Sequence, residues 1–361
     1  MHPVRPFKRP PRQGLSPDQR QLLRGVSRSF GLSIRLLPPL LQAPVALGYL
    51  LARATDTVAD TTSLPLAERQ VLLDHMSQAV LAPRVNAHEQ AVLTRLAHAF
   101  AAQQTDPDER ALMQALPRYL PLLFELTEAD QASVRQVLGH ITRGQQLDMT
   151  RFGHGLQALQ TEAELSDYTW LVAGCVGEFW TELCARHVPG YSLLTQTEML
   201  RYGRSYGMGL QRLNIIRDAG ADLAAGRCYW PVQTLALAGL TPNMLAQAAP
   251  NGEAETLKAL APLYTQWLDL TQSQLADGMR YAVALQPLRL RLASALPALI
   301  GARTVALLRQ AGPAALSLRV KMPRSEMRTL LWHVVRGWGS PATLEKLFAQ
   351  LSSSPARDAA L

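Results

Sequence analysis

Two aspartate pairs far apart in the chain constrain it most. Asp56 and Asp60 stand in Arg53-Ala54-Thr55-Asp56-Thr57-Val58-Ala59-Asp60, and Asp218 and Asp222 follow Asn214-Ile215-Ile216-Arg217. A four-residue interval returns an α-helix to the same face, so each pair presents two carboxylates about one turn apart. Like charges at that spacing repel, and both pairs sit in largely apolar sequence where unpaired carboxylates are expensive to bury. A cation held between the pairs resolves the conflict. The leading expectation is a metal-bridged anionic substrate.

A chain of 361 residues with 48% hydrophobic and 18% charged residues is long and apolar enough to bury a substantial core. Its formal charge of +8 suits nucleic acid, an anionic membrane surface or a phosphorylated substrate. Part of that surplus has a plain source: Arg5, Lys8, Arg9 and Arg12 crowd a proline-rich start. Residues 1–16 therefore read as a disordered basic tail. Cys175, Cys184 and Cys228 form no CxxC pair, which argues against a disulfide framework or structural zinc and favours a reducing cytosol. The N-terminus lacks the apolar stretch of a signal peptide. The longest apolar run, Leu292 to Leu308, is interrupted by Arg303, so no membrane span is expected. The expected location is cytoplasmic, with peripheral membrane contact open.

Hydrophobic periodicity with Pro and Gly punctuation predicts helices over Pro44–Asp60, Leu66–Leu81, His88–Ala102, Asp130–Arg151, Tyr168–Arg186, Thr195–Leu223, Glu253–Tyr281, Arg289–Leu308 and Pro323–Trp338. Strand patterns are nearly absent, so the expected architecture is all-α. One domain is expected over 17–345, followed by a tail over 346–361. Glycines inside predicted helices, in Val172-Ala173-Gly174-Cys175-Val176-Gly177 and Gly203-Arg204-Ser205-Tyr206-Gly207-Met208-Gly209, cost about 1 kcal/mol each against alanine. They signal close helix packing or a kink, or else a channel left open for a long ligand.

Mg²⁺ takes oxygen ligands and is usually held by one or two carboxylates plus substrate phosphates. Two carboxylate pairs would recruit two or three such ions together with a diphosphate, and the ions would stabilise charge as diphosphate leaves carbon. Arg53 precedes the first pair by one turn, and Arg217 and Arg227 flank the second. Their forked guanidinium groups suit phosphate oxygens. A carbocation made this way needs a deep apolar cavity from which water is excluded. Among other residues, His140 and His154 are not spaced as a ligand pair, Glu178 and Glu182 read as structural ion-pair partners, and Trp170, Trp180 and Trp230 read as core aromatics.

The sequence resembles the squalene and phytoene synthases, which join two prenyl diphosphates head to head. The resemblance covers roughly residues 20 to 340. It rests on Ser27-Arg28-Ser29-Phe30, Tyr49 through Asp60, Tyr168 through Gly177, and Gln211 through Asp222 followed by Gly226-Arg227-Cys228-Tyr229-Trp230-Pro231. It implies an all-α isoprenoid synthase fold with helices around a central apolar cavity. It also implies that Asp56, Asp60, Asp218 and Asp222 are the Mg²⁺-diphosphate motifs, with Asn214 joining them at the metal. Arg28, Ser29, Phe30, Tyr49, Arg53, Gln211, Asn214, Arg217 and Arg227 match positions that line the substrate. Thr57-Val58 and Val320-Lys321-Met322-Pro323-Arg324 are similar to the squalene synthase branch, most closely its bacterial members, and imply Lys321 and Arg324 as contacts for NADPH.

Two departures bear on the product. Leu171 stands where family members often carry a Tyr given a proton-handling role in forming the cyclopropyl intermediate, and Tyr168, one turn away, is the geometric substitute. A cation-shielding aromatic is also missing near Ala293 to Pro297. The expected activity is condensation of two farnesyl diphosphates to presqualene diphosphate, then NADPH-dependent reduction to squalene. The alternatives are a non-reductive synthase making presqualene diphosphate, hydroxysqualene, dehydrosqualene or phytoene, and a prenyl-lipid binding protein without catalysis. Basic residues are not interleaved with aromatics as single-strand binders require, so no nucleic-acid partner is expected.

Overall fold

The computed structural model describes residues 15–27, 30–153, 155–336 and 339–353, apart from the side chains of Phe30, Arg324, Val335 and Arg336. In chain order the helices are α1 (Pro17–Val26), α2 (Phe30–Leu36), α3 (Pro39–Asp60), α4 (Leu66–Leu81), α5 (Ala87–Gln103), α6 (Pro107–Tyr119), α7 (Glu128–Arg151) and α8 (Glu162–Thr169). They continue with α9 (Cys175–His187), α10 (Gln196–Ala224), α11 (Val232–Leu237), α12 (Pro242–Asn251), α13 (Ala254–Ala284), α14 (Leu288–Ala311), α15 (Arg324–Arg336) and α16 (Pro341–Ser353). Among the described residues the only sheet is a two-residue parallel ladder, β1 (Gln157–Ala158) beside β2 (Arg227–Cys228).

The chain divides into two compact units, one of residues 1–28 and 38–138, the other of 29–37 and 139–361, with the boundary inside α7. In the first unit α3 supplies the main apolar surface, burying Leu41, Val45, Leu47, Leu50, Leu51, Ala54 and Val58. Its neighbours are fixed by side chains that close helix ends. Gln104, just after α5, donates to Thr61 Oγ1 at 2.9 Å, and Arg135 donates to the Val80 carbonyl at the end of α4 at 2.8 Å. Asn86 and Glu89 form a reciprocal cap at the start of α5, satisfying two backbone donors that would otherwise lack partners.

In the second unit the long helices α10, α13 and α14 carry one continuous core that includes Leu213, Ile216, Leu260, Leu268, Leu275, Leu299 and Val305. The intrahelical glycines of this unit make contact rather than leave space. A methyl on Gly177 would lie 1.9 Å from the Gly203 carbonyl oxygen, and one on Gly207 would lie 2.2 Å from the Ala173 oxygen. Backbone meets backbone between α10 and the Ala173–Gly177 stretch, so these glycines do not line a channel. Between α8 and α9 the segment Trp170–Gly174 is a π-helical turn, where the predicted single helix is interrupted. Such turns insert one residue into the helical register and occur often at functional sites.

Most predicted helices are present with ends shifted by a few residues, and Leu66–Leu81 matches at both ends. The tail expected from 346 is helical as far as Ser353, because Leu344, Leu347 and Leu351 form a buried stripe on α16. Most of the expected N-terminal tail, residues 1–14, lies outside the described residues, but Leu15 is buried and Ser16 caps α1. The three cysteines are buried and unbridged. By length and composition Leu288–Leu316 is apolar enough to cross a membrane, yet 72% of its most apolar window is buried inside the protein. Arg303 on α14 is fully buried and makes a two-pronged ion pair with Glu326 of α15, at 2.6 and 3.1 Å. A guanidinium buried this way is tolerable because its partner is present.

The glycine contact makes a paired prediction. Gly177→Ala should cost about 1–3 kcal/mol of stability, since backbone on the facing helix has no room to yield. Gly139→Ala on α7, where a methyl would meet nothing within 4 Å, should be neutral or gain up to about 1 kcal/mol. Urea denaturation midpoints of the two variants measure the difference.

Candidate active site

Tyr49, Arg53, Asp56 and Asp60 follow one another along α3 at intervals of four, three and four residues, forming a stripe beside its buried face. Arg53 makes ion pairs with both Asp56 and Glu109 of α6. Tyr49 donates from its hydroxyl to the Val26 carbonyl at 3.1 Å, and burial pushes its pKa up to about 12. It therefore remains protonated across the physiological range. The sequence offered no sign of Glu109, which lies 56 residues from Arg53 in the chain and in the first turn of a helix it helps start.

Asp56 is the electrostatic centre of this stripe. Its side chain is 43% accessible and lies between Arg53 and Asp60 along the stripe. Its pKa rises from 3.8 to about 6, chiefly through lost hydration and then through the charge of Asp60, with Arg53 opposing both. A carboxylate pair that raises its own proton affinity is under-neutralised by its surroundings. Asp60 ends α3 at an exposed position, and Arg69 donates to the adjacent Ala59 carbonyl at 2.6 Å.

In the second unit Gln211, Asn214, Asp218 and Asp222 make an equivalent stripe on α10, at intervals of three, four and four residues. The opposite face buries Arg212, Leu213, Ile215, Ile216, Ala219 and Leu223. Arg217 grips Asp218 with two donors, one at 2.9 Å. Arg227 Nε and Nη2 both donate to Asp222 Oδ1, at 3.1 and 2.9 Å. Arg227 is positioned by the β1–β2 ladder, where it pairs with Gln157, and by Gly226 before it. Gly226 adopts a φ of 78°, and a methyl there would meet the Gly155 carbonyl oxygen at 2.7 Å. Ile215, Asp222, Arg227, Tyr229 and Trp230 cluster beside this edge.

Tyr168 of α8 is buried and stacks on Tyr229, with ring centroids 5.1 Å apart and hydroxyls at 3.4 Å. Tyr229 in turn donates to Asp148 Oδ2 of α7 at 2.6 Å. Asp148 was not singled out from the sequence, where nothing marks it among the polar residues of its helix. Leu171 lies buried in the π-helical turn, and Ala293 is buried on α14. Glu178 accepts from Trp170 Nε1 at 3.2 Å and from Arg204 Nε at 2.6 Å, the structural pairing expected of it. Trp180 and Trp230 are core aromatics, whereas Trp170 is only partly buried and tilts against His140 at 4.7 Å.

Arg28 and Ser29, together with His154, lie outside the described residues, and Phe30 is described only as the first residue of α2. Lys321 is exposed in the segment before α15, and the side chain of Arg324 is likewise outside the description. Among the described residues no three His, Cys, Asp or Glu side chains converge as a self-sufficient metal site. Each stripe instead offers a pair of carboxylates without imidazole or thiolate. That donor set fits Mg²⁺, which completes its shell with water and phosphate oxygens.

Comparison with known proteins accounts for this pattern. The sequence profile of the squalene/phytoene synthase family matches residues 23–326. The chain belongs to that family. It is 31% identical over 211 residues to a squalene synthase of Saccharomyces cerevisiae, covering 58% of this chain and 44% of that one. It is 26% identical over 312 residues to the squalene synthase of Cyberlindnera jadinii, covering 86% and 65%. A bifunctional lycopene cyclase/phytoene synthase of Colletotrichum graminicola is 28% identical over 63% of this chain and 36% of its own length. The chain thus spans less than two thirds of each of these relatives. Among solved structures, a ligand complex of TcSQS superposes with a TM-score of 0.74 at 19% identity, over 95% of this chain and 94% of the other. A dehydrosqualene synthase gives 0.58 at 18%, over 93% and 96%. The fold is the all-α isoprenoid synthase fold.

The raised pKa of Asp56 has a signed consequence. Between 3.8 and about 6 the folded protein holds a proton at Asp56 that the unfolded chain releases, so this group's contribution to stability declines as pH rises through that window. Without divalent metal, Asp56→Asn should raise the thermal midpoint at about pH 7.5 more than at about pH 5. Added Mg²⁺ should stabilise the unsubstituted protein more strongly at the higher pH. Differential scanning fluorimetry at both pH values reads both effects.

Proposed function

We propose that this protein is a squalene synthase, condensing two farnesyl diphosphates head to head to presqualene diphosphate and then reducing that intermediate to squalene with NADPH. The observation that carries the reading is the α10 stripe. Gln211, Asn214, Asp218 and Asp222 share one accessible face, and arginines partner both of its carboxylates, in a member of the squalene/phytoene synthase family.

Asp56 and Asp60 in the first unit, and Asn214, Asp218 and Asp222 in the second, are the residues that would hold Mg²⁺ with a diphosphate. When bound, the metal supplies Lewis-acid stabilisation of the departing diphosphate. Arg53, Arg217 and Arg227 neutralise the motif carboxylates, and their forked donors would turn to phosphate oxygens as a cation takes the carboxylates over. Arg28 and Tyr49 complete the substrate surface. Apolar helix faces exclude water from the cation formed after ionisation. Tyr168, whose hydroxyl is already engaged in a hydrogen-bonded cluster, is the proton-handling group. Lys321 and Arg324 bind the NADPH phosphates. Contact with the membrane is peripheral, in keeping with a lipid substrate and product.

A second reading, a non-reductive synthase of the same family, is favoured by Leu171. A buried leucine in the π-helical turn carries no hydroxyl for the proton handling that the resemblance gives this position, which bears on the product. Incubation with farnesyl diphosphate and Mg²⁺, with and without NADPH, separates the two by mass spectrometry of the products. Squalene only in the presence of NADPH supports the first reading, and a rate and product unchanged by NADPH support the second. Asp218→Ala should lower diphosphate release by about 100-fold or more while leaving the thermal midpoint nearly unchanged. Lys321→Ala should spare presqualene diphosphate formation and slow only the reduction. A Lys321→Ala enzyme with unchanged reduction would remove that residue from the NADPH site.

A further inference from the structure

The cluster behind Tyr168 holds more than a structural contact requires. Tyr168 and Tyr229 stack, their hydroxyls lie 3.4 Å apart, and Tyr229 donates to Asp148 Oδ2 at 2.6 Å. Phe152 closes the cluster edge-on against Tyr229 at 5.2 Å. The second oxygen of Asp148, Oδ1, is buried and has no hydrogen-bond partner. Buried structural carboxylates generally have both oxygens satisfied, because an unpaired one forfeits its hydration without return. Two arginines are near enough to act on Asp148 through their charge, and both are engaged elsewhere. Arg227 is held by Asp222, and Arg151 reaches Glu164 at 3.6 Å.

We propose that Asp148 is a positioning residue for catalysis, acting through Tyr229 as the terminal proton acceptor for the Tyr168 hydroxyl. This rests on the reading of Tyr168 as the group that takes a proton from substrate. A buried tyrosine hydroxyl is a poor base, and burial beside Tyr168 and Asp148 holds Tyr229 well above its ordinary pKa, so the Tyr229 ring does not store negative charge. A chain can still work if each hydroxyl passes on one proton as it gains another. In the ring-closing step a C–H bond of the cation breaks and its electron pair forms the new C–C bond of the cyclopropane. The proton goes to Tyr168 Oη, the original Tyr168 proton passes to Tyr229 Oη, and the original Tyr229 proton passes to Asp148 Oδ2. Both tyrosines finish neutral and Asp148 finishes as a carboxylic acid, which returns its proton to water before the next turnover.

The environment of Asp148 suits this part. Its pKa is raised to about 6, mainly by lost hydration, against the hydrogen bond of Tyr229, the nearby Tyr168 hydroxyl and the charges of Arg227 and Arg151. It is ionised near neutral pH, yet a far better proton acceptor than an ordinary surface carboxylate.

The test compares the full-length enzyme with Asp148→Asn, Asp148→Glu, Tyr229→Phe and Tyr168→Phe, measuring presqualene diphosphate formed from farnesyl diphosphate at saturating Mg²⁺ as a function of pH. Thermal midpoints report folding alongside. Asp148→Asn and Tyr229→Phe should each lower kcat by about 100-fold with KM changed by less than about threefold. Asp148→Asn should also abolish the acid limb of the kcat profile near pH 6, and Asp148→Glu should recover part of both the rate and the limb. A folded Asp148→Asn enzyme that keeps wild-type kcat and its acid limb overturns the proposal. If Tyr168→Phe is then severely impaired, only the relay fails. If Tyr168→Phe is fully active, the reading of Tyr168 fails and the relay with it.

Discussion

The second unit depends on the approach of α10 to the Ala173–Gly177 stretch, where backbone lies against backbone. Glycine is a poor helix former, and four of them in facing helices would be a steady loss in isolation. Here the absence of side chains lets the helices close until main-chain atoms touch, and dispersion over that surface offsets the propensity cost. Thr181 and Tyr281, hydrogen-bonded at 3.0 Å, reinforce the same region. With its N-terminal half clamped, α10 runs 29 residues, and its remaining turns carry Gln211 to Asp222 on a face whose direction the clamp has set. The same contact bears on the π-helical turn, because Ala173 and Gly174 belong both to that turn and to the surface against α10.

Charge is distributed on a common plan in each motif. The buried faces of α3 and α10 are apolar apart from a few residues such as Arg212, while the aspartates occupy adjacent, more accessible stripes. Asp56, Asp218 and Asp222 each have an arginine partner, so the helices tolerate closely spaced carboxylates before any metal binds. These pairs are at least partly exposed, and such pairs contribute little to stability. On the proposed reading, their importance would lie in keeping anionic groups ready for a cation while each has a partner.

Much of this was legible in the sequence because it is local. Helix α4 was bounded by apolar periodicity and proline, and the four-residue aspartate spacing translated directly into one helical face. Arg217 and Asp218 are chain neighbours, so their pairing needed no tertiary information. What stayed hidden is non-local. Glu109 reaches Arg53 across 56 residues, and Asp148 reaches Tyr229 across 81. The helix α16 was missed because a polar, serine-ending segment looks like a tail until Leu344, Leu347 and Leu351 find a core to enter. The glycines marked an anomaly correctly, but whether they made contact or left space depended on which helix lay opposite.

The arginine partners of Asp218 and Asp222 leave that stretch of α10 almost without net charge, which gives binding a thermodynamic order. On the proposed reading, a cation arriving alone would have to displace a guanidinium from each carboxylate, and an anion arriving alone would have to draw the arginines away from the carboxylates. Arriving together, each ligand removes the cost the other would have met. Linkage makes that advantage reciprocal: whatever factor the metal adds to the affinity for diphosphate, diphosphate adds to the affinity for metal. On that reading the motif would be a coincidence detector, weak toward either component and responsive to their joint presence.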